Sequence, residues 1–233
     1  MVRDSWVLRF AEGYSKRANS IVPLYAADTG IQLDEAIAGC ETLYRSQGLR
    51  SAFKMSPIAQ PSELDEMLES QGYRLVDRCS VQTLALTADL KKPQLRHIVV
   101  FPLVTEEWLE HYCRLSRASL DQKGTMFRML SNIRTQSGFF LLHDDDETVV
   151  ACGIGVIVRN YIGLWDIVTD SNYRQRGFGE QLVLHLLNWG RDNGATDSFL
   201  VVVASNAPAR KLYAKLGFEH VYEHWYRVKE QGC

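Results

Sequence analysis

The sequence predicts an α/β protein built on a mixed α+β sheet, and three observations carry that prediction. A strand-like run from Leu164 to Thr169 passes through Asp170-Ser171-Asn172 and a loop containing Gly177 and Gly179 into an amphipathic helix with Leu182, Leu184, Leu186, Leu187 and Trp189. A second strand-like run, Phe199 to Val203, leads through Asn206 and Pro208 into a short helix that Gly217 closes. The same order of helix end, strand, helix, Gly-aromatic and strand also stands earlier, over residues 44–78. There Gly48 and Gly72 are 24 positions apart, against 23 for Gly194 and Gly217.

Taken in order, Ser5 to Phe10 alternates like a strand, and Leu33 to Gln47 spaces Ile37, Cys40, Leu43 and Tyr44 as a helix does. Ala52 to Met55 reads as a short strand. Pro61 to Gln71 reads as a helix with proline at its entrance and Gly72 at its exit. Tyr73 to Leu86 forms one long or two short strands. Thr87 to Arg96 is polar, carries Pro93 and reads as a linker. A strand over His97 to Val104 opens the second half. Thr105 then caps a helix to about Ser119, and another helix covers Gln122 to Ile133. Phe139 to His143 and Val149 to Arg159 are strands joined by the solvated turn Asp144-Asp145-Asp146-Glu147. With the later elements the order is β-α-α-β-β-β-α-β-α-β. The expected organisation is residues 1–90, a linker at 91–97, and a second domain over 98–233.

Composition narrows the function classes. With 233 residues, 46% apolar and 23% charged, the chain can bury a substantial core as an ordinary globular protein. A net charge of −2 gives no case for bulk nucleic-acid or anionic-membrane binding. Cys40, Cys79, Cys113, Cys152 and Cys233 form no C-x-x-C pair, which argues against a zinc site and a disulfide framework and for a reducing compartment. The first ten residues lack the apolar core of a signal peptide. The apolar run Thr148 to Val158 falls short of the ~20 residues a membrane crossing needs. A cytoplasmic protein is expected, without metal, as a monomer or homodimer.

The chemistry concentrates at Arg174-Gln175-Arg176-Gly177-Phe178-Gly179. Glycines let the backbone approach a ligand closely, and a helix start offers unpaired N–H groups at its positive dipole end. That arrangement suits a pyrophosphate. A dinucleotide-binding loop would need a third glycine where Leu182 stands, and no GKS or GKT follows to make a Walker loop.

An R-x-x-G-x-G loop after a strand, then a strand, then N-x-x-A-x-x-L-Y-x-x-x-G-F over Asn206 to Phe218, resembles the GCN5-related N-acetyltransferase (GNAT) superfamily. The resemblance covers roughly residues 98–229 and implies acetyl-CoA as co-substrate. On it, Ile167, Val168 and Thr169 would hold the pantetheine arm through their backbone. Arg174, Gln175, Arg176, Gly177, Phe178, Gly179 and Glu180 would surround the phosphates. Asn206 would touch the cofactor arm, and Tyr213 would protonate the leaving sulfur. Some members carry a glutamate base near the start of the strand before the loop; Gly163 stands there, leaving Asp166 as the nearest carboxylate. His220, Glu223 and His224 are alternatives, and a water relay or an amine arriving neutral would need no side-chain base. The first half reads as a degenerate copy, since Leu24 to Ala36 offers one glycine and no arginine and Leu68 stands near the place of Tyr213. It is expected to complete or cover the acceptor pocket. The function expected is acetylation of a primary amine on a small molecule. The alternatives are acetylation of a protein N-terminus or lysine, and a non-catalytic acyl-CoA-binding sensor or scaffold.

Overall fold

A computed structural model describes residues 1–3, 6–24 and 32–229. The chain divides into two compact units. One comprises Met1–Ser80, Val203–Ser205 and the chain from Tyr222 onward; the other comprises Val81–Val202 and Asn206–Val221. The division after Ser80 lies upstream of the polar stretch where the sequence points to a boundary, and the last strand counts with the N-terminal unit from Tyr222 onward.

The N-terminal unit contains β1 (Val2–Arg3), β2 (Trp6–Leu8), β3 (Ile21–Val22), α1 (Leu33–Ser46), β4 (Ala52–Met55), α2 (Leu64–Ser70) and the start of β5 (Arg74–Ala85). β1, β2 and β3 pair antiparallel, β3 runs parallel to β4, and Trp225–Val228 pairs antiparallel with β4. Its core is built on Trp6, Ile37, Tyr44, Phe53, Leu64 and Leu68. α2 begins three residues later than the proline suggests, and the carbonyls of Pro61 and Glu63 accept the N–H groups of Leu64 and Met67 ahead of and in its first turn. Buried Arg227 on the last strand bonds Asp65 of α2 at 2.8 Å and Trp225 bonds the same carboxylate at 2.7 Å, which fastens helix to strand. The glycine-and-arginine comparison over Leu24 to Ala36 falls mostly on residues 25–31, outside the described residues.

The second unit contains β6 (Ile98–Phe101), α3 (Glu106–Ser116), α4 (Lys123–Ser131), β7 (Ser137–His143), β8 (Val149–Val158), β9 (Tyr161–Thr169), α5 (Phe178–Asp192), β10 (Asp197–Val203), α6 (Ala207–Lys215) and the start of β11 (Glu219–Val228). This is the predicted mixed α/β order. Strands β6 to β9 form an antiparallel run, and β10 joins β9 in parallel after the α5 crossover. Thr105 caps α3, accepting from the Trp108 N–H at 3.1 Å. α5 buries Leu182, Val183, Leu186 and Leu187 on the sheet, where each fully buried side chain contributes roughly 1.5–3 kcal/mol. It packs closely because Gly153 and Gly155 of β8 lack side chains: a Cβ on either would stand 3.2–3.4 Å from Leu186. The stretch expected as a linker lies along this helix. Leu95 donates its N–H to Gln181 at 3.1 Å, and His185 bonds the Leu95 carbonyl at 2.7 Å.

Glycines 48, 72, 194 and 217 all take left-handed φ, between 67° and 91°, at the ends of α1, α2, α5 and α6. The helix-strand-helix-strand repeat read from the sequence thus has the same backbone turn at each corresponding place.

Candidate active site

The second unit's sheet opens at one point. β9 pairs with β10 from Tyr161↔Asp197 to Leu164↔Leu200, and the register stops there. On its other side β9 shifts register against β8. Cys152 faces Val168 and Ile154 faces Trp165, so Asp166 and Ile167 together oppose Gly153. This is a β-bulge, and Asp166 in it takes a left-handed φ of 49°. Bulges twist and bend a strand, and here the bend coincides with the parting of β9 from β10. Ile162 to Leu164 are buried, whereas Trp165 to Thr169 are only half-buried. Residues 165–169 therefore present a strand edge that β10 does not cover, onto which an extended ligand could add.

Below the gap the chain turns through Ser171–Tyr173, where the Asp170 carboxylate accepts the Asn172 N–H at 2.9 Å. Arg114 of α3 bonds Asp170 at 3.1 Å and the Val149 carbonyl at 2.7 Å, and Arg117 reaches Ser171 at 3.2 Å. The loop then takes left-handed φ twice, 62° at Gln175 and 88° at Gly177, before α5 starts at Phe178. No side chain caps α5, so its first N–H groups point outward beside exposed Arg174, Gln175, Arg176 and Gly177. The Arg176 guanidinium rests over the rings of Tyr173 and Phe178, at 5.0 and 5.4 Å.

The two glycines serve different ends. A Cβ on Gly177 would meet nothing within 4 Å, so Gly177 is required for its φ alone. A Cβ on Gly179 would lie 3.2 Å from the Thr169 hydroxyl and 3.5 Å from Leu212, so Gly179 lets the start of α5 approach both β9 and α6. Glu180 is tied to Lys91 at 2.8 Å and to Lys215 of α6, and these two ammonium groups hold its carboxyl below the usual range. Its side chain is thus engaged within the protein.

Asn206 caps α6 by accepting the Ala209 N–H at 3.2 Å, as expected from its place before Pro208. Tyr213 of α6 is 8% exposed and packs edge-on to Phe218 at 5.8 Å. Burial pushes its phenol up to about 12. Asp166 lies close enough to buried Cys152 that its charge adds to burial in raising that thiol. His224 is buried and Glu223 pairs with Arg78 at 3.4 Å, both within the N-terminal unit; His220 is exposed. The acidic turn is closed by its own Asp144, which accepts the N–H groups of Asp146 and Thr148. Among the described residues no three His, Cys, Asp or Glu side chains converge as metal ligands, and no helix is long and apolar enough to cross a membrane.

Two features escape sequence reasoning: the bulge at Asp166–Ile167 and the anchoring of the turn by Arg114. The only local trace of the bulge is Gly153 on the neighbouring strand, where a Cβ would press on Ile167 at 3.3 Å.

The Acetyltransferase (GNAT) family matches residues 101–218. An uncharacterised N-acetyltransferase of Bacillus subtilis, YobR, is 30% identical over 228 residues, covering 96% of this chain and 90% of that protein. The ribosomal protein bS18-alanine N-acetyltransferase of Salmonella typhimurium is 36% identical over 73 residues, 31% of this chain and 49% of that protein. Among solved structures, a GCN5-related N-acetyltransferase from Kribbella flavida superposes with a TM-score of 0.68 at 16% identity, over 92% of this chain and 82% of its own. A tandem GNAT protein from the clavulanic acid biosynthesis pathway gives 0.63 at 15% identity, over 86% and 70%.

Proposed function

The chain belongs to the acetyltransferase (GNAT) family, and from that premise we propose that residues 98–233 transfer the acetyl group of acetyl-CoA to a primary amine of a small molecule. The observation that carries this reading is the parting of β9 from β10 beside a helix start with two glycines. Acetyl-CoA supplies an activated thioester, and the uncovered edge at Ile167, Val168 and Thr169 suits its amide-bearing arm. The backbone N–H groups over Gln175 to Glu180 receive the phosphates, with Arg174 and Arg176 adding charge. Asn206 keeps its amide nitrogen free for the arm while its oxygen caps α6.

Tyr213 serves as hydrogen-bond donor to the departing sulfur. With the phenol near 12 and a thiol near 8.5, complete proton transfer is uphill by about 5 kcal/mol, so donation to the developing charge is the useful step. Asp166 is assigned to the amine proton. Simple strand alternation does not decide which face Asp166 presents, because the bulge interrupts that alternation at this residue. The N-terminal unit is read as a degenerate copy of the same fold, supported by the repeated helix-strand-helix-strand order.

A second reading, acetylation of a protein N-terminus, draws on the similarity of about 70 residues to the bS18-alanine enzymes. One experiment tests both: acetyl-CoA-dependent thiol release with a panel of small amines, lysine peptides and alanine-starting peptides, on wild type and Tyr213→Phe. Turnover of a small amine that Tyr213→Phe abolishes supports the proposal. Turnover of peptides alone moves the assignment to a protein substrate. Binding of acetyl-CoA with no acceptor turned over, and no effect of Tyr213→Phe, would leave a binding protein.

A further inference from the structure

The N-terminal unit holds a cavity of about 500 Å³, within the range of small-molecule sites, that the acetyl-transfer reading does not use. Its position follows from strand alternation. Phe53 and Met55 of β4 point into the core beneath α1 and α2, so Ala52 and Lys54 face the opposite side of the sheet. On β11, Trp225 and Arg227 turn toward α2, which sends Val228 to the same side as Ala52, its register partner. Ala52 and Val228 form the floor, and the loop 11–19 passes over it.

That loop is held in a fixed shape. Buried Asn19 accepts the N–H groups of Ala11 and Gly13 at 2.7 and 3.2 Å, and donates to the carbonyls of Tyr14 and Ser15 at 2.8 and 2.9 Å. Glu12 and Ser15 take left-handed φ of 49° and 58°, a strained conformation for residues with a side chain, and such strain gathers where a binding surface is preorganised.

The lining divides into an apolar part, with Leu49 and Val76 beside the floor, and a cationic part of Lys16, Arg50 and Arg74. No acidic side chain lines the cavity among the described residues. Lys16 meets Asp77 at its edge; Arg50 and Arg74 form no ion pair among the described residues. Lys54 adds a further amine on the same face, its pKa lowered chiefly by burial and further by nearby Arg9 and Arg17. The cavity is partly open and its cationic side chains are exposed at the mouth, where like charges gathered in a concave surface concentrate anions and guanidinium forks match planar or tetrahedral oxyanions.

We propose that this cavity binds a small organic anion, at a site separate from that for acetyl-CoA. Arg50, Arg74 and Lys16 hold a carboxylate or phosphate head, and the apolar walls hold its body. The proposal does not rest on the acetyl-transfer reading, and its test needs no turnover.

The full chain is titrated by calorimetry with 3-phenylpropionate and with phenyl phosphate. The neutral 3-phenylpropanol and inorganic phosphate serve as probes lacking head and body respectively. At least one organic anion is expected to bind saturably at one site per chain, unchanged by saturating acetyl-CoA. The alcohol should bind at least tenfold more weakly. Arg50→Gln/Arg74→Gln should weaken the anion at least tenfold, while Arg50→Lys/Arg74→Lys restores part of the affinity at an unchanged Tm. Whichever organic anion binds more tightly identifies the head group. No saturable binding by either at 10 mM, or equal affinity in the glutamine double variant, overturns the proposal. Inorganic phosphate binding as tightly as phenyl phosphate overturns the role of the apolar walls.

Discussion

Two replacements at Gly177 separate backbone conformation from charge at the proposed phosphate site. The residue takes φ 88° and a Cβ there would touch nothing within 4 Å, so Gly177→Ala introduces only left-handed strain. That costs about 1–2 kcal/mol, which for a chain of this size lowers Tm by roughly 2–8 °C. Gly177→Glu introduces the same strain and adds a carboxylate at the start of α5. A negative charge at a helix N-terminus is itself favourable by about 0.3–1 kcal/mol, so the glutamate variant should melt no lower than the alanine variant. Binding should move the other way. A carboxylate about 6 Å from one phosphate charge is repelled by ~0.7 kcal/mol at the dielectric of water and ~3 kcal/mol at an effective value of 20. Two such charges give roughly 1.4–6 kcal/mol, or at least a tenfold rise in Kd over Gly177→Ala. Calorimetry with acetyl-CoA at 10 mM and 150 mM salt reads the difference, which should narrow as the screening length falls from about 30 to about 8 Å. If Gly177→Glu binds within threefold of Gly177→Ala at both salt concentrations, the anion does not lie at this helix start.

Tyr213→Phe should lower kcat roughly 10²- to 10³-fold with acetyl-CoA affinity and Tm nearly unchanged, and the wild type should show no alkaline loss from this phenol below pH 11, read by a pH-rate profile. Gly179→Val should weaken acetyl-CoA more than tenfold by forcing α5 away from Thr169 and Leu212, read by the same titration. His224 is 3% exposed and its pKa falls to about 4, chiefly through burial, with Lys54 and Arg17 adding to it. The unfolded chain therefore takes up this proton near pH 6.5 and the folded one only near 4. The contribution is full above pH 6.5, and about 3 kcal/mol is lost as pH falls to 4; urea unfolding of wild type and His224→Gln at both pH values should show the slope only in wild type. Asp65→Ala leaves Arg227, 4% exposed, with the more distant Glu69 as its remaining carboxylate and a long bond to the Tyr73 carbonyl, and should cost about 3 kcal/mol, a Tm drop of roughly 6–12 °C by calorimetry.

What was legible in the sequence was local. Leu33 to Gln47 and Ala52 to Met55 carry their own periodicity, and the structure has a helix over Leu33–Ser46 and a strand over Ala52–Met55. Thr105 and Asn206 cap helices within three residues of themselves, so a single short window reveals them. The glycine loop is readable for the same reason. The bulge was hidden because register belongs to two strands at once: nothing in Trp165-Asp166-Ile167 alone says that Gly153 stands opposite. Arg114 and Asp170 are 56 residues apart, and Glu180 meets Lys91 across 89, distances at which a charge pattern has no reading frame. Even the expectation that Glu180 faces cofactor came from its place beside the loop, whereas its ion partners come from elsewhere in the chain.

The pairing of β4 with Trp225–Val228 has a consequence for the order of synthesis. β4 leaves the ribosome some 170 residues before the strand that completes its sheet. At about 5–20 residues per second, it waits on the order of 10 to 30 s with one edge bare. A bare edge is a template for mispairing, and Lys54 in the middle of this short strand is the kind of charge that discourages it. The sheet of the N-terminal unit therefore cannot be completed until Trp225–Val228 has been made, although most of that unit's residues are made first.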